Sequence, residues 1–144
     1  MFRPVLACAA TALAALAIAA AAGIPSAGAS TFTFFRTPSN LIGCVYQTGP
    51  TFLRCDVMYP TRFDGQRSCG EVGDAGRSFT MRRRGSVKLP CASDTSFDPK
   101  SRLVPYGTTR RFGPFRCTVS MSGLRCTNAG GHGWFLSRGS QRLF

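Results

Sequence analysis

Six cysteines, Cys44, Cys55, Cys69, Cys91, Cys117 and Cys126, follow an apolar N-terminal stretch, and their spacing constrains the fold more than any other feature. An even number of cysteines in a small exported chain reads as a disulfide framework, here of three bridges. Number alone does not choose the pairing, but spacing helps. Cys117 and Cys126 are nine positions apart, so in an antiparallel hairpin they face each other about a midpoint between Met121 and Ser122. Ser120, Ser122 and Gly123 supply turn chemistry there, and Gly123 can take a positive φ. Side chains alternate along a strand, which puts Phe115, Cys117, Val119, Leu124 and Cys126 on one face and Arg116, Thr118, Arg125 and Thr127 on the other. Cys44 and Cys55, eleven apart, flank a Gly49-Pro50 tip in the same way. Cys44, Tyr46, Leu53 and Cys55 then share one face, and Val45, Arg54 and Asp56 the other. Cys69 with Cys91 follows by elimination. Leu53-Arg54-Cys55 and Leu124-Arg125-Cys126 are similar solutions to stapling a hairpin, with leucine and cysteine inward and arginine outward. Nothing else aligns over that period.

The N-terminus supplies the oxidising address. Arg3, an apolar run from Val5 to Ala22, the helix breakers Gly23 and Pro25, and Ala27-Gly28-Ala29 form a secretory signal with an A-x-A cleavage site. The expectation is a cleaved helical signal over residues 1–29 and a single disulfide-rich domain over 30–144, with no membrane-spanning segment after cleavage. Retention as an anchor is the competing reading, since the apolar run is nearly long enough to span. Cys8 does not mark a lipid-attachment box, because the apolar run follows it.

Between the cysteines the chain offers short β-rich segments broken by glycine and proline. Thr31–Arg36, Leu41–Tyr46 and Leu53–Met58 read as strands. Ser78–Arg84 and Ser86–Leu89 read as a hairpin about Arg84-Gly85, and Pro105-Tyr106-Gly107 as a turn. Tyr59–Arg77 is loop-like. No helical periodicity occurs outside the signal, so the expected fold is all-β, a small antiparallel sandwich or barrel stapled by three disulfides.

Beyond residue 29 the chain carries 17 Lys and Arg against six Asp and Glu, a net charge of about +11, nearly all of it arginine. Arginine suits bidentate recognition of carboxylate or phosphate, although a GC-rich coding sequence also enriches it. The Arg82-Arg83-Arg84 run can contact a polyanion or simply solvate a loop tip. Metal and cofactor binding are not expected, because C-x-x-C pairs are absent and His132 is the only histidine. His132 is also the only weak catalytic candidate, as an acid or base beside Asp56, Glu71 or an arginine. No G-x-S-x-G or S-x-x-K pattern is present.

The stretches Phe35-Arg36-Thr37-Pro38-Ser39-Asn40-Leu41-Ile42-Gly43-Cys44, Leu53-Arg54-Cys55-Asp56, Pro105-Tyr106-Gly107, Phe115-Arg116-Cys117, Gly123-Leu124-Arg125-Cys126-Thr127-Asn128 and Gly131-His132-Gly133-Trp134-Phe135-Leu136-Ser137-Arg138 resemble those of a family of small secreted bacterial proteins of unknown function, of the high-GC Gram-positive type. One departure is at Ser39-Asn40-Leu41, where the family pattern more often places a glycine between serine and asparagine. The resemblance implies a secreted single domain and no particular activity. Asn40 and Asn128 read as turn residues able to adopt a left-handed conformation.

Two functional readings remain. The first is a non-enzymatic domain, secreted or associated with the cell envelope, that binds an anionic cell-envelope polymer or another extracellular protein through Arg54, Arg116 and Arg125. Nucleic acid is not the expected partner for an exported chain. The second is a small secreted ribonuclease-like hydrolase or toxin using His132. A protease inhibitor rests on size and disulfides alone.

Overall fold

The computed structural model describes residues 28–59, 69 and 76–144. The expected signal segment therefore falls almost entirely outside the described residues, as does most of the loop after Tyr59.

Two hairpins nucleate two sheets. β2 (Ile42–Thr48) and β3 (Thr51–Val57) close around Gly49-Pro50, with Thr48 opposite Thr51 and Cys44 opposite Cys55. β7 (Phe115–Ser120) and β8 (Gly123–Thr127) close around Met121 and Ser122, with Ser120 opposite Gly123 and Cys117 opposite Cys126. Both cysteine pairs are directly opposed, at Cα separations of 4.0 and 4.1 Å, and both are bridged. The third bridge joins Cys69 to Cys91. Gly123 sits at φ 149°, and a Cβ there would press into the Leu136 carbonyl oxygen, so only glycine closes this tip unstrained.

Around these hairpins lie β1 (Phe32–Arg36), β4 (Ser78–Arg82), β5 (Arg102–Leu103), β6 (Thr108–Phe112), β9 (Gly133–Leu136) and β10 (Gln141–Leu143). One sheet runs β4-β3-β2-β1-β5 and the other β10-β9-β8-β7-β6. The all-β reading holds, and the architecture is a sandwich. All the pairings are antiparallel except β1 with β5.

The inward faces meet in one core. Phe35, Leu53, Phe79 and Met81 from the first sheet pack on Phe115, Val119, Leu124, Trp134 and Leu136 from the second, all at most 1% exposed. Aromatic pairs tie the layers together: Phe35 stacks on Phe112 with centroids 4.2 Å apart, Tyr46 meets Phe115 edge-on at 6.0 Å, and Phe79 lies 6.2 Å from Trp134. Both disulfides of the hairpins are fully buried in this core.

Two sequence expectations change, and two strands are added. Ser86–Leu89 does not form a strand; only Thr80 and Lys88 bridge, exchanging both backbone hydrogen bonds at 2.8 and 2.7 Å. Thr108–Phe112 forms an edge strand, and the strand carrying Trp134 is followed by another, β10, two elements the sequence reading did not include. Asn40 does adopt a left-handed conformation, φ 57°, but in the Asn128 turn the positive φ belongs to Gly131. Asn128 instead works through its side chain: its amide donates to the Arg82 and Gly85 carbonyls, and its oxygen accepts from the Gly130 and His132 amides.

Candidate anion-binding face

The outward face of the second sheet follows from register. Arg111 lies directly opposite Arg116, and Arg116 opposite Thr127. One row further, Thr109, Thr118, Arg125, Phe135 and Arg142 are paired in succession across all five strands. Arg111, Arg116, Arg125 and Arg142 are all exposed. Adjacent strands are about 4.8 Å apart, so Arg125 and Arg142, two strands apart, are separated by roughly 10 Å. Two phenylalanines share the face. The Arg125 guanidinium carbon sits 4.0 Å from the Phe144 ring centroid and that of Arg142 5.5 Å from Phe135. Such cation–π contacts hold the guanidinium planes while leaving their N–H edges able to donate.

The strands of this sheet carry no carboxylate side chain, because Asp98 is the last acidic residue of the sequence and eight Lys and Arg follow it. The directly opposed Arg111 and Arg116 are then a like-charge cross-strand pair, which costs stability when nothing lies between them.

Arg116 and Arg125 therefore come together as the hairpin register predicts, on neighbouring strands. Arg54 does not join them. It lies on the first sheet, and its guanidinium is held by carboxylates: Nε and Nη2 donate to the two Asp56 oxygens at 2.9 Å each, and Nη1 to Asp94 Oδ1 at 3.0 Å. Nη2 also reaches the Asp94 carbonyl at 2.7 Å. Burial alone would lower the Arg54 pKa, but the hydrogen bonds and charges of Asp56, then of Asp94, outweigh it and raise the pKa above the usual arginine value. Reciprocally, Arg54 holds the Asp94 carboxyl below its usual range. Asp56, 4% exposed, also accepts from the Ser78 hydroxyl and the Ser96 amide. Arg54 is consequently a structural cation, not part of a free basic face.

His132 is exposed, and its backbone amide is taken by Asn128 Oδ1. Among the described residues no carboxylate bonds its ring: Asp56 and Asp94 serve Arg54, and Asp98 caps a turn by accepting from the Lys100 amide at 2.8 Å. Glu71, the other carboxylate considered beside it, lies outside the described residues. The Arg82-Arg83-Arg84 tip is exposed, with its backbone clamped by the Asn128 turn through the Arg82 and Arg83 carbonyls.

Sequence reasoning missed Arg111, Arg142, Phe135 and Phe144 as members of the face. Two signals could have found them: the alternation in Thr108-Thr109-Arg110-Arg111-Phe112 opposite Phe115, and the absence of acids after Asp98. No family model, curated protein or solved structure matches the chain.

Proposed function

We propose that this chain is an exported, non-enzymatic β domain that binds a linear polyanion of the cell envelope on the outer face of its second sheet. The observation that carries the reading is the set of four outward arginines, Arg111, Arg116, Arg125 and Arg142, on a sheet without a carboxylate side chain. Three disulfides support an oxidising destination. A flat ladder of guanidinium groups suits an extended chain of phosphates or carboxylates better than a compact ligand, because successive anions can reach successive strands. An anion between Arg111 and Arg116 also offsets their mutual repulsion.

Co-sedimentation of the oxidised protein with isolated cell envelope tests this. Binding is expected at low salt and is lost at high salt, as the Debye length falls from about 10 Å at 0.1 M to about 3 Å at 1 M. The double substitution Arg116→Glu and Arg125→Glu is expected to abolish binding while leaving thermal stability nearly unchanged, since both side chains are exposed. Undiminished binding by the double variant would remove this face from the reading.

A further inference from the structure

The Arg82-Arg83-Arg84 run lies at the β4 edge of the first sheet, away from the arginine face of the second. In β4, Phe79 and Met81 point into the core, 0% and 1% exposed, so Thr80 and Arg82 emerge on the outside. The chain turns through Arg83, Arg84 and Gly85 and comes back alongside, where Thr80 and Lys88 exchange backbone hydrogen bonds at 2.8 and 2.7 Å. Directly opposed residues share a face, which sets the Lys88 side chain beside that of Thr80. Around this bridge Thr80, Arg82, Arg84, Ser86, Lys88 and Pro90 line a depression of about 430 Å³. Ligand pockets run from roughly 300 to 1,000 Å³, so its size suits a small molecule.

The loop is held from behind. Asn128, 6% exposed, donates to the Arg82 and Gly85 carbonyls at 3.0 and 2.9 Å, and the Ala129 amide donates to the Arg83 carbonyl at 3.1 Å. Gly130 backs the same loop, since a Cβ there would lie 3.6 Å from the Arg84 Cα. Three carbonyls, the groups that would repel an anion, are thereby occupied. The lining side chains are not. Arg82, Arg84 and Lys88 are exposed, and among the described residues no hydrogen bond or ion pair holds them or the Thr80 and Ser86 hydroxyls. No carboxylate side chain lines the depression. Asp56 and Asp94 are engaged with Arg54, which lies opposite Thr80 on β3.

We infer that this depression binds a phosphate monoester, its terminal oxygens shared among the Arg82 and Arg84 guanidinium groups and the Lys88 ammonium, with the Thr80 and Ser86 hydroxyls as further donors. Three cations around one depression repel one another until an anion lies between them. A monoester carries up to two charges on three terminal oxygens, so each cation can take an oxygen of its own. A carboxylate or a phosphodiester offers one charge on two oxygens and leaves one cation without an anionic partner. Because the loop backbone is already clamped, little ordering accompanies binding. The site is separate from the arginine face of the second sheet and does not rest on it.

Calorimetric titration of the oxidised protein at neutral pH with phenyl phosphate, methyl phenyl phosphate and benzoate tests the inference, the common ring cancelling any aromatic contact. Saturable phenyl phosphate binding is expected, with the diester and benzoate each at least about tenfold weaker, the difference of one charge-assisted hydrogen bond. Arg84→Gln and Lys88→Gln, both at exposed positions, should each weaken phenyl phosphate about tenfold. Arg83→Gln removes the same charge from the same run but from outside the depression, and as a screened surface charge it should weaken binding less than about threefold. Once phenyl phosphate binds, co-sedimentation with phosphatidylcholine vesicles containing phosphatidate reads the source: pelleting that phenyl phosphate displaces supports the inference with a lipid headgroup, and no pelleting supports it with a soluble ester. Absence of saturable phenyl phosphate binding at millimolar concentration overturns the inference. So does equal or tighter binding of the diester or benzoate, or a loss in Arg83→Gln equal to that in Arg84→Gln.

Discussion

The two disulfide hairpins begin from nearly the same local sequence and end with opposite electrostatics. Leu53-Arg54-Cys55 and Leu124-Arg125-Cys126 both send leucine and cysteine into the core and arginine out, and each cysteine faces its partner across the ladder. Over the first hairpin, however, a segment from Asp94 to Phe97 folds back. Ser96 donates to the Gly43 carbonyl at 2.9 Å and to Asp56, and Asp94 closes on Arg54. Gly43 permits this cover, because a Cβ there would collide with the Phe97 backbone. Over the second hairpin, among the described residues, Phe144 stacks on Arg125. One arginine is thereby held as a half-buried structural charge by Asp56 on its own strand and Asp94 from the covering segment, and its counterpart, which has Thr127 where the first hairpin has Asp56, stays available. The same outward register can serve stability or recognition, and the carboxylates within reach, Asp56 beside the arginine and Asp94 from the covering segment, decide which.

The largest expected effect breaks the first side of this comparison. Asp56→Ala takes the bidentate partner from the half-buried Arg54 and leaves the buried Ser78 and Ser96 donors without their acceptor, at about 1–3 kcal/mol for each buried donor left unpaired. Urea unfolding should show that loss, whereas Arg125→Ala, made on the exposed counterpart, should cost less than about 1 kcal/mol. Similar losses from both variants would end the distinction.

Next come the disulfides, where the two hairpins should behave alike. The loops differ only as nine against eleven residues, so the chain-entropy model gives each bridge about 2.5–3 kcal/mol and a difference of about 0.2 kcal/mol. Replacing Cys44 and Cys55 together, or Cys117 and Cys126 together, by alanine should lower stability nearly equally. A clearly larger loss in the first pair would mean that the covering segment depends on that bridge.

The smallest effect concerns pH. Asp94 has a folded pKa depressed by Arg54, so its contribution is present above the unfolded value of about 3.9 and is lost as pH falls through the folded pKa. A carboxyl titration followed by NMR should place the Asp94 midpoint below about 3.9. Arg54→Gln should return it to the ordinary range. No such return would show that Arg54 does not hold the cover.

The sheets also differ in how legible they were. Hairpin tips, cysteine partners, the inward set Phe115, Cys117, Val119, Leu124 and Cys126, and the outward Arg116 and Arg125 could all be read from the sequence. These depend on alternation along a strand and on a turn a few residues long, both local properties. Edge strands β6 and β10 were harder. They are half exposed, carry few apolar side chains and pair on one side only, so their period-two signal is weak.

What the sequence by itself determined is therefore the pair of stapled hairpins and the face on which each side chain emerges. Only the tertiary structure decided what each face meets. Arg54 receives a second carboxylate from Asp94, 40 positions away, beside Asp56 on its own strand, Asn128 clamps the arginine tip from 43 to 46 positions away, and the segments that follow β3 and β9 line one cavity. Contacts at that range depend on how two layers and a crossing segment pack together, and no pattern along a single strand encodes them.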